Sequence, residues 1–593
     1  MVTTAEVLLH YQQRFHDVQA ALASVQSKQW GMLTIAALAV VMTLGFGALA
    51  YYRNTIPVWY PPLAVSPALI SIRKYGRLRL QASRLNRLGS FYENAKVRVE
   101  GQWAGKGHQG TEFQPGDHPY AADLGLFGEG SLFERICTAR THLGRERLAG
   151  YLIEPVGHKE ARERQAAVRE LVSRTGLREQ IALLGRHDFE ESKWRTFAEW
   201  LDMPSVGHGN RLRLGFCVSS AFLLGLSLAV LVAPSVLWPM LWRPICATVA
   251  VQALAAGFLL RWVRRALAAA GPVAHEIGIM REGLAMLAGL EFSSPKLAQL
   301  ARDATGADAA IGELDPWLMI LSERTKDWFY QLSLWLALGT QTALALDAWR
   351  KRHRPALLGW LDTWAEFEAL NALACYAYEN PEDCWPEIAG APASFQAQAL
   401  GHPLLPRATC VANDVALGSG QKFWVISGSN MSGKSTLLRS MGLASVLALA
   451  GAPVRAGALR MAAMNLYAAI SLGDSLREGK SRFLAEVRRL RETLDASLQQ
   501  PVIFLIDEIF SGTNSRDRQL AADAVVRTLV ERGAVGAIST HDIALASIAA
   551  HGGANVHMAS TGRDPLDFDY RLKPGVTPET NALAIARMAG VPV

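Results

Sequence analysis

The sequence predicts an α/β domain in the C-terminal third of the chain and an all-α region before it that carries transmembrane helical hairpins. Three observations support this fold class. A glycine-rich loop lies between an apolar strand and a helix near residue 430, a later apolar strand ends in two carboxylates, and several long stretches carry no charge. Of the 593 residues, 50% are hydrophobic and 19% are charged, which excludes a disordered protein.

Composition says little about compartment and partners. The six cysteines have neither CxxC nor CxxH spacing, so the sequence implies neither a zinc site nor a disulfide framework, and a reducing cytoplasm suits them. The formal net charge of +7 is weak evidence for a polyanionic partner. The mean hydropathy of +0.12 is high for a soluble enzyme, so the location of the apolar residues matters.

Residues 1–30 are predicted to form an amphipathic N-terminal helix, and residues 31–72 a first transmembrane hairpin. Gly31 to Tyr52 contains no charged residue and is long enough to cross about 30 Å of hydrocarbon as a helix. Ile56 to Ile72 is also uncharged, but it is short and contains four prolines, so a buried core helix is a strong alternative there. No cleavage-site pattern follows the first span, so no signal peptide is predicted.

A second transmembrane hairpin is predicted at 214–262. Its apolar runs, Leu214 to Leu237 and Pro244 to Leu260, flank a turn at Pro239–Arg243. A further apolar stretch, Trp328 to Leu346, contains several polar residues and predicts an amphipathic packing helix instead of a fifth span. The basic cluster Arg350–Arg354 is predicted at the end of a helix, where cations are favoured.

Basic residues near the ends of the spans predict the orientation. Arginines flank the second hairpin on both sides, and residues 73–130 are predicted to be a basic linker attracted to anionic membrane lipid. Both termini and the C-terminal domain are then cytoplasmic, as in a multi-pass protein of the cytoplasmic membrane, and an odd fifth span would contradict this. The basic residues after the first hairpin are Arg73, Lys74, Arg77, Arg79, Arg84 and Arg87.

The strongest motif is a GxxxxGK[ST] loop that follows the apolar strand Phe423–Ser427. Glycines let backbone N–H groups point at phosphate oxygens, and the start of the following helix adds a partial positive charge. Lys434 is predicted to reach the β- and γ-phosphates of ATP, and Ser435 to offer its hydroxyl to Mg²⁺. The loop consists of Gly428, Ser429, Asn430, Met431, Ser432, Gly433, Lys434 and Ser435, and the helix is predicted to begin at Thr436.

A second apolar strand, Val502–Ile506, ends in Asp507 and Glu508. We expect Asp507 to hold Mg²⁺ and Glu508 to orient or deprotonate the attacking water. A third strand, Gly536–Ser539, leads to His541, which is predicted to sense the γ-phosphate. Acidic residues after an apolar run are also common at helix caps, and a histidine after a strand is often structural; the glycine-rich loop upstream favours the catalytic interpretation.

Together these residues resemble the MutS family of DNA mismatch-repair ATPases. The Asn-Met pair inside the loop is far more specific than the general motif, and the resemblance is dense from Gly401 onward. Further matching segments are Gly401–Leu404, Asn413–Val415, Asp507–Thr513, Ser539–His541, Pro574–Gly575 and Ala586–Gly590, with weaker matches at Gly130–Pro155, Arg164–Val168 and Tyr376–Ile388.

The resemblance implies an ABC-type P-loop ATPase domain at 401–593 and an all-α MutS-like core domain at 131–400 that carries the second hairpin. It implies a homodimer through the ATPase domains, in which a serine-bearing loop of one subunit completes the site of the other. Ser481 matches that serine, although it is also a plausible helix N-cap. Asn413 matches a position near the adenine.

The chain also departs from the family pattern. Its first 130 residues hold the membrane segments and linker instead of a mismatch-reading domain, and the hairpin at 214–262 interrupts the helical core. The sequence therefore resembles a membrane-anchored branch of the family, expected to couple ATP hydrolysis to binding of mismatched or structured DNA. The alternative is an ATP-driven remodelling or interaction protein at the membrane that does not bind DNA. A transport ATPase is disfavoured because Arg488–Gln500 contains no Leu-Ser-Gly-Gly-Gln motif.

Overall fold

The computed structural model describes residues 2–53, 60–184, 193–207, 209–232, 234, 237–324, 326–429, 431–470, 482–511, 513–559 and 567–577. These residues form two compact units. The first contains the described parts of Met1–Thr138, Leu148–Leu183 and Leu370–Val593, and the second contains those of Ala139–Arg147 and Leu184–Ala369. The predicted helical core at 131–400 is therefore divided, because its two ends belong to the same unit as the C-terminal domain.

Helices account for most of the chain before residue 380. They are α1 (Thr4–Arg53), α2 (Tyr60–Val99), α3 (Leu132–Ile136), α4 (His142–Ile153), α5 (His158–Val172), α6 (Thr175–Leu183), α7 (Lys193–Asp202), α8 (Gly209–Val232), α9 (Trp238–Ala288), α10 (Pro295–Asp303), α11 (Ala307–Gly312), α12 (Asp315–Glu323), α13 (Asp327–Trp335), α14 (Leu338–Glu379), α15 (Lys434–Ala450), α16 (Arg482–Ala496) and α17 (Ser515–Glu531).

The strands all lie in the C-terminal part. They are β1 (Glu387–Ala389), β2 (Phe395–Leu400), β3 (Asn413–Leu417), β4 (Phe423–Gly428), β5 (Ala458–Ala462), β6 (Asn465–Ala469), β7 (Val502–Asp507), β8 (Val535–Thr540), β9 (Gly553–Met558) and β10 (Lys573–Pro574). A 3-10 helix, Ile543–His551, connects β8 to β9.

The N-terminal helices α1 and α2 pair with each other. Val7, Tyr11 and Val18 are spaced so that they share one face of α1, and they pack against Tyr92 and Ala95 of α2. Helix α1 continues without a break from the predicted amphipathic segment into the apolar one. The prediction of a basic linker from residue 73 is wrong, since α2 extends to Val99.

The segment after α2 packs against the C-terminal domain. Pro119 O accepts a hydrogen bond from Ala468 N at 2.9 Å, which attaches the segment to β6. Asp123 Oδ1 accepts from Ile470 N at 2.7 Å, and the carboxylate lies 3.6 Å from Arg489 of α16. Since Asp123 is only 3% exposed, this segment is part of the folded unit.

The main sheet has six strands in the order β10-β9-β4-β8-β7-β6. Five are parallel, and β10 is antiparallel to β9. Strands β4, β7 and β8 are almost entirely buried, as expected for parallel strands covered on both faces. The register pairs Asp507 with Ser539 and Ser427 with Thr540, so the carboxyl ends of these three strands meet at one edge. Ligands of such sheets bind outside that edge.

A smaller sheet has the strand order β1-β5-β2-β3, and its strand β5 lies between β4 and β6 of the main sheet in sequence. It begins at Glu387, so the boundary predicted at residue 401 falls after its first two strands. Strands β2 and β3 are antiparallel, and Leu400 pairs with Asn413 across an irregular register. This pairing brings the start of β3 close to the loop that follows β2.

The second unit contains the apolar helices α8 and α9. The predicted turn at Pro239–Arg243 is wrong, because α9 already begins at Trp238. The stretch predicted as one packing helix is two, since α13 ends at Trp335 and α14 begins at Leu338. The basic cluster Arg350–Arg354 lies inside α14, where Arg350 is buried against Asp347 at 2.6 Å, so it does not end a helix.

Three helical stretches in the described residues are long and apolar enough to cross a membrane: Thr4–Leu49, Gly209–Val232 and Trp238–Ala269. Their apolar side chains are largely exposed, and Leu231 and Phe258 are 82% and 91% accessible. The predicted span at 56–72 lies partly outside the described residues.

Candidate nucleotide-binding site

The glycine-rich loop connects β4 to α15 at the carboxyl edge of the main sheet. Gly428 has φ +154° and Gly433 has φ +100°. A Cβ at Gly428 would lie 2.5 Å from Met558 O of the neighbouring strand, so only glycine fits there. The predicted strand is present and extends to Gly428, while the helix begins two residues earlier than predicted, at Lys434. Its first backbone N–H groups therefore face the loop.

Lys434 points back into this loop. Its ammonium donates hydrogen bonds to Gly428 O at 2.8 Å and to Ser429 O at 2.7 Å. Burial lowers the pKa of Lys434, and the carboxylates of Asp507 and Glu508 oppose that shift. The cation is thus held beside the loop with two acidic groups nearby, which is a suitable position for contact with phosphate oxygens.

Asp507, at the end of β7, connects the start of α15 to strand β8. Ser435 Oγ donates to Asp507 Oδ2 at 2.5 Å, and Ser539 Oγ donates to the other carboxylate oxygen. Among the described residues, no group of three or more His, Cys, Asp or Glu side chains is arranged to hold a metal. A site with one carboxylate and one hydroxyl fits Mg²⁺, which usually takes few protein ligands and completes its shell with phosphates and water.

Glu508 and His541 form a pair beside this site. His541 Nδ1 lies 3.2 Å from Glu508 Oε1. Glu508 adopts φ +55°, an uncommon conformation for a residue with a side chain, and its N–H donates to Ser539 O at 3.0 Å. Asp507 and Glu508 line the same pocket but have different partners, since Asp507 contacts Ser435 and Ser539 and Glu508 contacts His541.

Buried polar groups test whether the loop fits a polyphosphate. Ser432 is 1% exposed, and its hydroxyl has no hydrogen-bond partner among the described residues. A buried hydroxyl without a partner is costly, and a phosphate oxygen is the kind of acceptor that would satisfy it. Together with the positive φ values at both ends of the loop, this orphan hydroxyl fits bound phosphate.

A pocket of about 450 Å³ extends from the loop toward β3 and includes Lys434, Ser435, Asp507 and Glu508 in its wall. This volume is in the range of small-molecule and cofactor sites. Its other walls are more apolar, and they include Leu400, Leu405, Val411, Met431, Met558 and Tyr570.

Asn413 lies in the wall of the pocket, and both ends of its side-chain amide are hydrogen-bonded to backbone. Its Nδ2 donates to Tyr570 O at 3.0 Å, and its Oδ1 accepts from Leu572 N at 2.8 Å. Tyr570 in turn lies against the loop, where a Cβ on Gly433 would be 3.2 Å from its ring. Asn413 therefore positions the 570–572 segment over the loop.

Comparison with known proteins agrees with this geometry. A family model described as MutS domain V matches residues 424–593, which include the loop, both carboxylates and His541. The C-terminal domain belongs to the MutS family.

Individual relatives support the same assignment. Endonuclease MutS2 of Thermus thermophilus is 38% identical over 194 residues, covering 32% of this chain and 26% of that protein. DNA mismatch repair protein MSH6 of Arabidopsis thaliana is 31% identical over 255 residues, covering 38% and 19%. DNA mismatch repair protein MutS of Thermotoga maritima is 29% identical over 256 residues, covering 41% and 31%. The chain thus spans less than a third of the length of these curated relatives.

The MutS-type domain brings most of the predicted site residues together. The ones that line the loop or its edge in the described structure are Gly428, Ser429, Met431, Ser432, Gly433, Lys434, Ser435, Thr436, Asn413, Asp507, Glu508 and His541. Asn430 and Ser481 lie outside the described residues, as do Gly512 and the matching segment at 586–590. Helix α16 begins directly after Ser481, at Arg482.

Sequence reasoning missed the contacts that hold the loop after Glu508. Phe510 N donates to the buried carboxylate of Glu486, on α16. On the other side, Arg518 donates to Phe510 O and to Ser511 O, both at 3.0 Å. Arg518 also lies 3.7 Å from Asp542, the residue after His541. Two oppositely charged side chains from different helices thus fix one short turn, and no local motif marks such a pair.

Proposed function

We propose that this protein is a membrane-anchored ATPase of the MutS type, which binds ATP with Mg²⁺ and hydrolyses it. The observation that carries the proposal is the meeting of Ser435 and Asp507 at 2.5 Å, with Glu508 and His541 beside them. These groups lie at or just after the carboxyl ends of three separate strands. Their convergence at the edge of one pocket is therefore difficult to explain by local structure alone.

Each group has a defined task in this proposal. Lys434 neutralises charge on the β- and γ-phosphates, and the N–H groups of the loop bind their oxygens. Ser435 and Asp507 would hold Mg²⁺, which supplies charge neutralisation at the transferring phosphoryl group. Glu508 orients a water and accepts its proton, and His541 keeps the carboxylate in place while contacting the γ-phosphate.

We further propose that the ATPase domains pair as a homodimer. The family relationship of 424–593 supports this, and so does the position of α16, which follows Ser481 and is bonded through Glu486 to the turn after Glu508. In the dimer, Ser481 of each subunit faces the nucleotide of the other. Binding of ATP at the interface then becomes coupled to the conformation of α16.

Membrane anchoring is supported by composition and exposure. The three candidate spans present apolar side chains outward, and contiguous exposed apolar surface of this extent marks an interaction with lipid or protein. Basic residues follow the first hairpin within α2 and flank the second, which favours a cytoplasmic position for both termini and the ATPase domain. The exposed basic side chains of α2, from Arg73 to Arg84, fit anionic lipid.

DNA is the ligand that the relatives suggest, since their names describe an endonuclease and mismatch-repair proteins. We propose weak, salt-sensitive binding of DNA through phosphate contacts, because α1, α2 and the packed segment after them occupy most of residues 1–130. Matched and mismatched duplexes should then bind within a few-fold of each other. A preference of about 100-fold, roughly 2.7 kcal/mol, would require a reader elsewhere. Absence of binding at low salt would favour an ATP-driven remodelling protein.

ATP hydrolysis by purified full-length protein tests the central proposal. Lys434→Ala should abolish both nucleotide binding and hydrolysis, and Glu508→Gln should retain binding of ATP while turnover falls at least 100-fold. Two exposed controls, Lys106→Ala and Glu531→Gln, make the same charge changes outside the pocket and should leave the rate unchanged. Hydrolysis at the parental rate by Glu508→Gln would refute the assignment of Glu508.

A further inference from the structure

A hydrogen-bonded polar cluster lies among the apolar helices of the second unit. Ser220 Oγ of α8 donates to Leu336 O at 2.8 Å. Gln341 Nε2 of α14 donates to the same carbonyl at 2.8 Å and to Ser220 Oγ at 3.0 Å. The amide of Gln252, from α9, lies within 3.3 Å of Ser220 Oγ. These three side chains are 5% to 6% exposed, so the cluster is enclosed.

The cluster stabilises a break in a helix. Leu336 and Ala337 separate α13 from α14, and Ala337 has φ +48°. The carbonyl of Leu336 faces sideways toward α8 and accepts from two side chains. Inside hydrocarbon, an unsatisfied backbone carbonyl costs several kcal/mol, so broken helices occur there only where neighbouring helices supply the missing partners. The cluster supplies them.

The depth of the cluster can be estimated from three helices independently. On each helix, the polar residue is separated by a similar distance, about 10 to 14 Å at 1.5 Å per residue, from an arginine on the side assigned to the cytoplasm. Gln252 is also nine residues from Arg243, at the opposite end of its apolar stretch. The three arginines are the basic residues that bound the apolar stretches on the cytoplasmic side in our orientation. The intervals are seven residues from Arg213 to Ser220, nine from Gln252 to Arg261, and nine from Gln341 to Arg350.

Helix α13 has the exposed face of a lipid-contacting segment. Its nine residues span only about 13 Å, too short to cross a bilayer. Charged residues precede the helix, and its first turns contain tryptophan and tyrosine, which are enriched at membrane interfaces. In contrast, Ser333 is 1% exposed and faces inward. The large apolar and aromatic side chains that face outward are Trp328 at 66%, Tyr330 at 44%, Leu332 at 42%, Leu334 at 55% and Trp335 at 44%. Asp327, at the start of the helix, and Gln331 are exposed as well.

We infer that α13 and the first turns of α14 form a re-entrant hairpin, which enters the bilayer from the cytoplasmic side, turns at Leu336 and contacts lipid through the exposed face of α13. This inference rests on the proposed membrane anchoring of α8 and α9. The guanidinium of Arg324, which precedes α13, lies beside the first turn of α14, since a Cβ on Gly339 would be 2.2 Å from it. A hairpin of this kind adds no crossing, so the ATPase domain stays on the cytoplasmic side.

The inference replaces the sequence-based prediction for Trp328 to Leu346 as an amphipathic packing helix. Gln341 serves the helical break, while Trp328, Tyr330 and Trp335 face outward. Continuity with α8 and α9 identifies the occupant of that outward face. Both helices expose apolar side chains at the same depth, so acyl chains that cover them also reach α13.

Nitroxide labels test this placement in full-length protein reconstituted in vesicles of phosphatidylcholine and phosphatidylglycerol. The label is attached to Leu334→Cys in α13, Leu224→Cys in α8 or Leu520→Cys in α17, each in a background without the six native cysteines. These leucines are 55%, 53% and 64% exposed, so local crowding is matched. Relaxation by oxygen reports lipid, and relaxation by a water-soluble nickel chelate reports water.

We expect Leu334 and Leu224 to favour oxygen and Leu520 to favour nickel, with an accessibility ratio at least tenfold apart. If Leu224 favours oxygen and Leu334 favours nickel, the re-entrant hairpin is wrong and the anchoring stands. If both favour nickel, the anchoring itself is wrong. Should the cysteine-free protein not fold, a diazirine amino acid at Leu334 in the native background provides the same answer. Lipid adducts at Leu334 support the inference, and their absence there, with adducts present at Leu224, overturns it.

Discussion

Replacement of Asp123 should loosen the end of β6 measurably. Asp123 Oδ1 accepts from Ile470 N at 2.7 Å, and the carboxylate lies 3.6 Å from the buried guanidinium of Arg489. Arg489 also reaches Asp117 at 3.2 Å, but that carboxylate is 85% exposed. The same arginine thus contacts a buried and an exposed carboxylate. Comparing Asp123→Ala with Asp117→Ala therefore separates the contribution of the buried contact from that of the exposed one.

The magnitudes differ because of burial. Asp123→Ala removes a charged acceptor from a buried amide, a loss of about 2 kcal/mol, and it leaves Arg489 with more exposed partners. Asp117→Ala removes a surface ion pair worth about 0 to 1 kcal/mol. A loss of about 2 kcal/mol in local stability corresponds to roughly 30-fold faster exchange of the Ile470 amide, since each 1.4 kcal/mol is a factor of ten.

Hydrogen exchange with mass spectrometry measures this directly on peptides that cover residues 465–470. We expect the Asp123→Ala protein to exchange about 30-fold faster there than the parent, and the Asp117→Ala protein to differ by less than about fivefold. Peptides from α1 and α2 should be unchanged and serve as an internal control for folding. Equal exchange in both variants, or no change in Asp123→Ala, would refute the claim that the segment after α2 is locked onto β6.

Two further predictions concern stability. Burial, with smaller effects of two nearby arginines, lowers the pKa of His402 to about 4. Between pH 6.5 and 4 the unfolded chain binds a proton that the folded state does not, so the free energy of unfolding decreases as the pH is lowered. From pH 7 to 5 the loss is about 2 kcal/mol. Over this range, His402→Gln should show a smaller decrease in thermal midpoint than the parent. Gly451→Ala should lower the midpoint more than Gly533→Ala, because both glycines have positive φ but only a Cβ at Gly451 would meet Arg164, at 2.7 Å. Equal shifts for the two alanine variants would contradict the packing contact.

The meeting of the glycine-rich loop with Asp507 and Glu508 was predictable because its signals are local. The loop from Gly428 to Ser435 and the pair Asp507–Glu508 each lie within a few residues of a buried strand, and parallel strands bring their carboxyl ends to one edge. The contacts of Asn413 could not be predicted in the same way. Its partners lie in the 570–572 segment, more than 150 residues away, and nothing in either segment marks the pairing.

Helix boundaries failed where tertiary contacts outweigh local composition. The basic stretch from Arg73 suggested a linker, yet α2 continues to Val99 because its other face packs on α1 through Tyr92 and Ala95. Polar residues between Trp328 and Leu346 suggested one amphipathic helix. The hydrogen bonds of Gln341 instead serve the break at Leu336, a role that becomes visible only when α8 supplies Ser220.

Helices α1 and α2 and the glycine-rich loop belong to one folded unit, and this restricts how the proposed anchor can act. Arg98, at the end of α2, is paired with Glu379 at 2.7 Å, and both side chains are largely buried. Further along, Asp123 O accepts from Arg439 of α15 at 3.1 Å, while its side chain holds the end of β6. Helix α15 is also the helix that presents Lys434 to the loop. A flexible linker would let the ATPase domain move independently of the hairpin, but these buried contacts mean that a displacement of α15 either carries the segment after α2 with it or breaks them. Helices α1 and α2 are therefore connected to the site through packed structure, and substitution of Asp123 tests that connection more directly than removal of the two helices would.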